Sequence, residues 1–574
     1  MPTSSNEPKP SARAETPSLR DVALLAAGIA VFFAVLLGGR ALSVPDEGRY
    51  VEIPREMVAT GDYLTPRLNG VKYFEKPPLF YWVEAGLIRA FGLSEWSVRL
   101  GPAFFALIGC LPVLYAGTRL YGRRTGLLSA VVLATAVLYY ALSRLITLDM
   151  PVTVFLTAAL LAFLLGAREP AGRARRAFFL AFYAASALAV LTKGLIGIVF
   201  PGMVIFAWML VMDEWRVLRS MHLLSGTVLF LLITAPWHLL VDRANPEFFH
   251  FYFVHEHFER YLSTVHGRYK PFWFFIPVLL SGLFPWTAFL VQAVRRSLPR
   301  SWRERTGEKE AVFLMLWAGL VFLFFSVSSS KLIPYILPVL PPLALLIGRY
   351  FADAWDSGSA WGIRAGYRAL LALFAVLITA LVLLPRFRPE LDQAALRPHL
   401  YAIFAVLLLG TGAVWRLSRR TCLKSGFFAL TATTVLLCIA CSAAMPQLDT
   451  RSIRGLALVL KARLKPGDEV ANYLSYYQDL PVYLERRITI AGWKGELEFG
   501  TTVEDMGLGT AAEDTSAWMI DPDTFWKRWN GSRRIYLVTS ADTYDMLRHL
   551  PGRSYFLIAR DKNNVILSNK EDAP

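Results

Sequence analysis

With 574 residues, 55% hydrophobic and only 18% charged, and a mean hydropathy of +0.42, the chain is too apolar for a soluble globular protein of its size. A net charge of +16 would otherwise suggest a nucleic-acid binder, but much of it falls in short loops between apolar runs, where positive charge sets topology. The four cysteines, three of them inside apolar runs, imply neither a disulfide framework nor a zinc ribbon.

In chain order, residues 1–20 read as a disordered tail opening "MPTSSNEPKPSARAETPS". About thirteen apolar runs follow, each near the length a helix needs to cross a bilayer, at roughly 21–38, 97–117, 125–141, 150–167, 177–192, 195–212, 222–240, 271–293, 311–328, 334–350, 367–385, 400–416 and 426–445. The fifth and sixth, on either side of Lys193, also fit one long broken helix. After Pro446 the pattern changes to short β-rich runs between turn residues, which predicts a small soluble α/β domain over 446–574. The fold class is therefore mostly α: a polytopic membrane protein with about 13 transmembrane helices over 21–445 and a small α/β domain at its end.

Alternate loops set the orientation. "TRLYGRRTG", "AREPAGRARR", "DEWRVLRS" and "RLSRRTCLK" are heavily basic and belong in the cytoplasm with the tail. An odd number of spans then puts the C-terminal domain on the other side. The opposite loops include 39–96, whose "LFYWVEAGLIRAFG" is amphipathic enough to lie along the membrane surface, and 241–270.

Those outer loops gather Asp46, Arg49, Glu75, Lys76, Asp149, Lys193, His255, Arg260 and Lys331. The orientation came from the other set of loops, so this clustering is an independent observation. Ionisable groups near membrane depth are costly and usually line a cavity or pair with one another, which points to one polar site on the outer side. Asp46 in "PDEGRY" can act as a base or hold a cation, and equally fits an acidic first helical turn. Asp149 in "TLDMP" reads the same two ways. Glu75 and Lys76 in "FEKPPLFYW" precede two prolines that keep the backbone out of a helix; the lysine could hold a phosphate or simply be solvated. In "FVHEHFERY", His255 with a carboxylate such as Glu75 suits a metal, Arg260 suits a phosphate, and the aromatics suit plain interfacial packing. Lys193 in "LTKG" and Lys331 with Tyr335 in "SKLIPY" bring cations to span ends, where lysines also snorkel. Of the aromatics, Tyr50 and Tyr73 stand closest to the charges. Several cations facing outward suit a lipid-linked phosphate donor, whose leaving-group charge they would stabilise. No Walker or dinucleotide-binding glycine pattern is present, so no nucleotide cofactor is expected.

The acidic pair, "EKPPLFYW", "RLITLDMP", "LTKG" and "SSKLIPYILP" together resemble the lipid-phosphate-dependent glycosyltransferases of the GT-C fold, over about residues 20–445. Among them the chain looks most like the bacterial 4-amino-4-deoxy-L-arabinose lipid A transferases, relatives of the protein O-mannosyltransferases. The resemblance implies inverting transfer of aminoarabinose from undecaprenyl phosphate to lipid A on the periplasmic face of the inner membrane. It implies Asp46 and Asp149 as key carboxylates, and carrier phosphate held by Lys76 and Arg260 near Tyr335. It also implies zinc at Glu75 and His255, with Arg49 and Lys193 in the same cavity. Two other readings compete. One is a mannosyl-type transferase acting on a hydroxyl. The other is a lipid transporter, which should place charges at mid-membrane and show repeats.

Overall fold

The computed structural model describes residues 17–253, 270–299, 301–357, 362–388, 393–419, 423–448, 451–501, 514–549 and 553–571. Every apolar run expected to cross the membrane falls on helix, but the helices are not uniform. Among the described residues nine are long and apolar enough to span a bilayer, from Ser97–Tyr121 to Lys424–Leu448. The run at 271–293 is two helices, Phe272–Gly282 and Thr287–Ser297, bent by 104°. The run at 125–141 is interrupted at Ala136, whose extended backbone separates Arg123–Thr135 from Val137–Leu142. Around Lys193 there are two helices, Arg173–Lys193 and Ile196–Met212, separated at Gly194 (φ 89°), a conformation that favours glycine.

The first elements of the chain position one half of the site. Helix α1 (Leu19–Ala34) leads into a loop and then α2 (Asp46–Thr60). Asp46 and Glu47 occupy the first turn of α2, complementing its dipole, and Gly61 at φ 77° stops it. Strands β1 (Arg67–Leu68) and β2 (Val71–Lys72) form a hairpin whose turn, Asn69-Gly70, has both residues at positive φ, as a tight two-residue hairpin requires. Helix α3 (Leu79–Phe91) starts directly after Pro77-Pro78 and buries Phe80, Tyr81, Glu84, Ala85 and Ile88; it is the expected amphipathic stretch. Residues 97–99 then turn into α4 (Leu100–Tyr121).

The last long helix runs through Pro446 to Leu448, so the change of pattern read at Pro446 comes two residues later in the fold. Beyond it lies one mixed sheet. Strands β3 (Glu469–Tyr473), β4 (Thr489–Ala491), β5 (Met519–Ile520), β6 (Ile535–Ser540), β7 (Phe556–Arg560) and β8 (Asn564–Ser568) take the order β5-β4-β3-β6-β8-β7. The first four are parallel and β8 is antiparallel to both of its neighbours. Strands β3, β4 and β8 are wholly buried, as strands covered on both faces are.

This sheet region packs on the first loop. Asn69 and Ile488 exchange two hydrogen bonds, each 3.0 Å, and the Trp518 indole donates to the Asn69 carbonyl at 2.9 Å. A shared core joins Ile53, Met57, Val71 and Tyr81 of the first loop to Leu456, Leu480 and Ile490.

Candidate active site

The loop before α2 is fixed by one buried carboxylate. Glu47, 0% exposed, accepts from Arg40 at 2.6 Å, from Arg99 at 2.9 and 3.0 Å, and from the backbone N–H groups of Ser43 and Ile146. Burial would raise its pKa, but the guanidinium groups of Arg99 and Arg40 outweigh that and hold it below the usual carboxylate range. Arg40 also donates to the Arg144 carbonyl, and Arg144 to the Phe33 carbonyl. Glu47 therefore ties α1, α2, α4 and the segment before Asp149 together, and its neighbour Asp46 projects from a rigid frame.

Asp46 itself is 52% exposed at the side chain, with Arg49 3.7 Å away. Arg49 is buried and forms a second ion pair, with Glu496 from the C-terminal region. Glu496 is oriented in turn by the Gln478 amide at 2.8 Å. Gly48 makes this approach possible: a Cβ there would sit 2.7 Å from the Asp479 nitrogen and the Gln478 carbonyl carbon. The Arg49 guanidinium lies 5.8 Å from the Tyr50 ring centre, and Tyr50 lies 6.2 Å from Tyr81. Burial, opposed by Arg49, holds the phenols of Tyr50 and Tyr73 well above their ordinary value, so both act as hydroxyl groups rather than phenolates.

A second group forms where three helical segments end. Lys193, the last residue of its helix, donates to Asp149, the first residue of the next-packed helix, at 2.5 Å. The same ammonium stands 4.8 Å above the Tyr335 ring. Asp149 stands in the first turn of its helix, where its charge complements the dipole, and its carboxylate accepts from Lys193. Asp46, Glu75 and Asp149 all lie within electrostatic reach of Tyr50, which joins the two groups into one neighbourhood.

The remaining expected residues divide. Lys76 donates to the Glu75 carbonyl at 2.6 Å, in non-helical backbone as the prolines dictate. Lys331 is buried but turned to backbone, donating to the Lys270 carbonyl at 3.0 Å and to that of Ser328. His255 and Arg260 lie outside the described residues. Among the described residues no group of three or more His, Cys, Asp or Glu could hold a metal ion; His255, one of the two residues expected to bind zinc, lies outside them, and no step below runs through a metal.

Sequence reasoning missed Glu496 and Gln478, and nothing local in "AGWKGELEFG" or "SYYQDLP" marks them. It also passed over the anchoring of the segment after Ala244: Lys72 pairs with Glu247 at 2.8 Å, and Phe251 stacks on Phe499 at 3.7 Å between ring centres.

The bundle of apolar helices, with paired carboxylates and cations where they end, and the relatives of the chain together place it among the polytopic GT-C glycosyltransferases that draw on a lipid-linked sugar. The solved archaeal oligosaccharyltransferase AglB from Archaeoglobus fulgidus shares that fold, with a TM-score of 0.52 at 13% identity over 92% of this chain and 69% of its own. The chain belongs to the undecaprenyl phosphate-α-4-amino-4-deoxy-L-arabinose arabinosyl transferase family. The relative from Erwinia tasmaniensis is 32% identical over 91% of this chain and 94% of its own, and that from Pectobacterium carotovorum is 30% identical over 95% and 98%. Residues 40–252 match the dolichyl-phosphate-mannose-protein mannosyltransferase family and 456–569 the aminoarabinose transferase C-terminal domain. Among solved structures, ArnT from Cupriavidus metallidurans bound to undecaprenyl phosphate superposes with a TM-score of 0.82 at 32% identity, over 96% of this chain and 98% of that one.

Proposed function

We propose that the chain transfers 4-amino-4-deoxy-L-arabinose, with inversion, from undecaprenyl phosphate to phosphate groups of lipid A. It thereby modifies lipopolysaccharide and confers resistance to polymyxin and other cationic peptides. The enzyme sits in the bacterial inner membrane with about thirteen spans over 21–445, a cytoplasmic tail at 1–20, and its active site and a soluble 446–574 domain in the periplasm. The observation that carries the reading is the shared neighbourhood of Asp46, Arg49, Tyr50 and the Asp149–Lys193–Tyr335 group, in a chain related to this family along nearly its whole length.

The chemistry follows from the two charges that must be managed. The acceptor is a phosphate, already ionised at neutral pH, and so needs no strong base to become a nucleophile. The leaving group is the carrier phosphate, whose charge is stabilised by the cations Lys76, Arg260 and Lys193, the last with its ammonium over the Tyr335 ring. Asp149 accepts a hydrogen bond from Lys193 and so aims it. Asp46 orients the acceptor or holds the ammonium of the sugar; Tyr50 and Tyr73 offer hydroxyls to the sugar. Glu75 and His255 are the pair to examine for zinc, by metal analysis of purified protein.

The test is a transfer assay with purified protein, undecaprenyl-phosphate aminoarabinose and lipid A, read by mass spectrometry, with Asp46→Asn beside the wild type. Product carrying one aminoarabinose, sharply reduced in the variant, is the expected result. Full turnover by Asp46→Asn would remove the role given to Asp46. No product from folded wild type would redirect the assignment to a hydroxyl acceptor or another sugar.

A further inference from the structure

The segment that links the last long helix to the sheet is unusually basic for an outer loop. Between 451 and 465 it carries Arg451, Arg454, Lys461, Arg463 and Lys465 and no acidic residue. Topology cannot explain this, because lysine and arginine mark cytoplasmic loops. Part of the segment is the helix Arg454–Lys461, which buries Leu456, Ala457 and Leu460 and leaves Leu458 and Val459 exposed. Basic flanks with exposed apolar residues, directly after a span, describe a helix at a lipid surface.

The first residue of this helix reaches the segment that follows α3. Arg454 bridges to Glu95 at 2.7 Å, and beside Glu95 the exposed rings of Trp96 and Phe91 meet edge to face, 5.8 Å apart. Between the two elements lies an open cleft of about 190 Å³. Arg454, Lys461, Ser94 and Tyr483 give it polar walls, and Leu42 and Val51 an apolar floor. Its two carboxylates, Glu95 and Glu485, pair with Arg454 and Lys461; the Lys461–Glu485 pair is open to solvent and weak, while Arg454 is half exposed over a Glu95 that is mostly buried. The cleft adjoins the active site. Arg451 donates to the Ser43 hydroxyl at 3.2 Å, Ser43 donates to Glu47, and Asp46 is next in the chain.

We infer that this cleft holds a second phosphate of the acceptor, the one not receiving the sugar, while the exposed rings and leucine rest in the surrounding lipid. The inference rests on the proposed transfer to lipid A, a lipid with more than one phosphate. A phosphate monoester is a dianion that two cations on one helix face suit. Anchoring it would fix which phosphate meets Asp46.

The experiment uses the full chain in nanodiscs of zwitterionic lipid, with bis-phosphorylated and mono-phosphorylated lipid A as alternative acceptors. The Arg454→Gln/Lys461→Gln variant should raise KM for the bis-phosphorylated acceptor about tenfold, as loss of charge-assisted hydrogen bonds does. KM for the mono-phosphorylated acceptor, KM for the donor and kcat should not move. Lys461→Gln alone gives a smaller shift in the same direction, and being on the surface it tests the idea even if the double variant does not fold. Equal losses with both acceptors, or none, overturn the inference. So does a wild type that needs added phosphatidylglycerol and a variant that no longer responds to it, which would assign the cleft to bulk phospholipid. A folded wild type that modifies neither acceptor fails the transfer reading itself, and this inference falls with it.

Discussion

Asp46 and Asp149 each open a helix, share one electrostatic neighbourhood and are nonetheless held in opposite ways. Asp149 is 13% exposed and pinned by Lys193 at 2.5 Å; Asp46 is 52% exposed with its nearest cation among the described residues at 3.7 Å. The rigidity around Asp46 lies one residue along, in Glu47. A carboxylate already paired serves its partner, whereas one left open on a fixed frame is placed to meet a ligand.

That contrast can be broken experimentally. The largest effect is expected for Lys193→Ala, which strips the cation from Asp149 and from the Tyr335 face; kcat should fall about a hundredfold or more, measured by initial transfer rates. Asp46→Asn keeps shape but removes charge, and should lower kcat/KM for lipid A by about ten- to a hundredfold with unchanged thermal stability. Glu496→Gln leaves Arg49 buried with a weaker partner. About 1–3 kcal/mol of stability should be lost in thermal unfolding, along with a smaller part of the activity. Gly48→Ala sharpens the comparison by moving the frame alone: its methyl would sit 2.7 Å from the 478–479 backbone, costing about 1–3 kcal/mol.

The smallest effect on activity is expected at Glu84. Its carboxyl is wholly buried, has no hydrogen-bond partner among the described residues, and is held far above the ordinary value by burial, with Glu47 adding to the shift. The folded chain thus keeps a proton that the unfolded chain releases above about pH 4.5. Stability from this group is complete below that pH and declines as pH rises toward the folded-state value. Glu84→Gln should flatten the fall in melting temperature between pH 5 and 8 and leave transfer rates near wild type.

What the sequence showed depended on how far apart the interacting residues lie. The helix start at Asp46, the non-helical "EKPP" and the charged span ends at Asp149 and Lys193 are local patterns, and each stands where it was expected. The 104° bend was invisible because hydropathy reports composition, not direction. Lys331 looked like a site cation from its position, yet its ammonium is turned to two backbone carbonyls. Glu496 could not have been found, since its partner Arg49 lies near the other end of the chain and only the close pass at Gly48 brings them together.

The reciprocal pair between Asn69 and Ile488 bears on how such enzymes can be recombined. The family matches end at 252 and resume at 456, which invites a graft at the last long helix. The physical seam runs elsewhere, through the hairpin tip and the N-terminal turn of α2. A chimera exchanging only residues after 448 would ask a foreign sheet to recognise this hairpin and to supply a carboxylate to this arginine. One that carries residues 46–72 along with the sheet keeps the clasp and the ion pair native, and inherits both halves of the site from one parent.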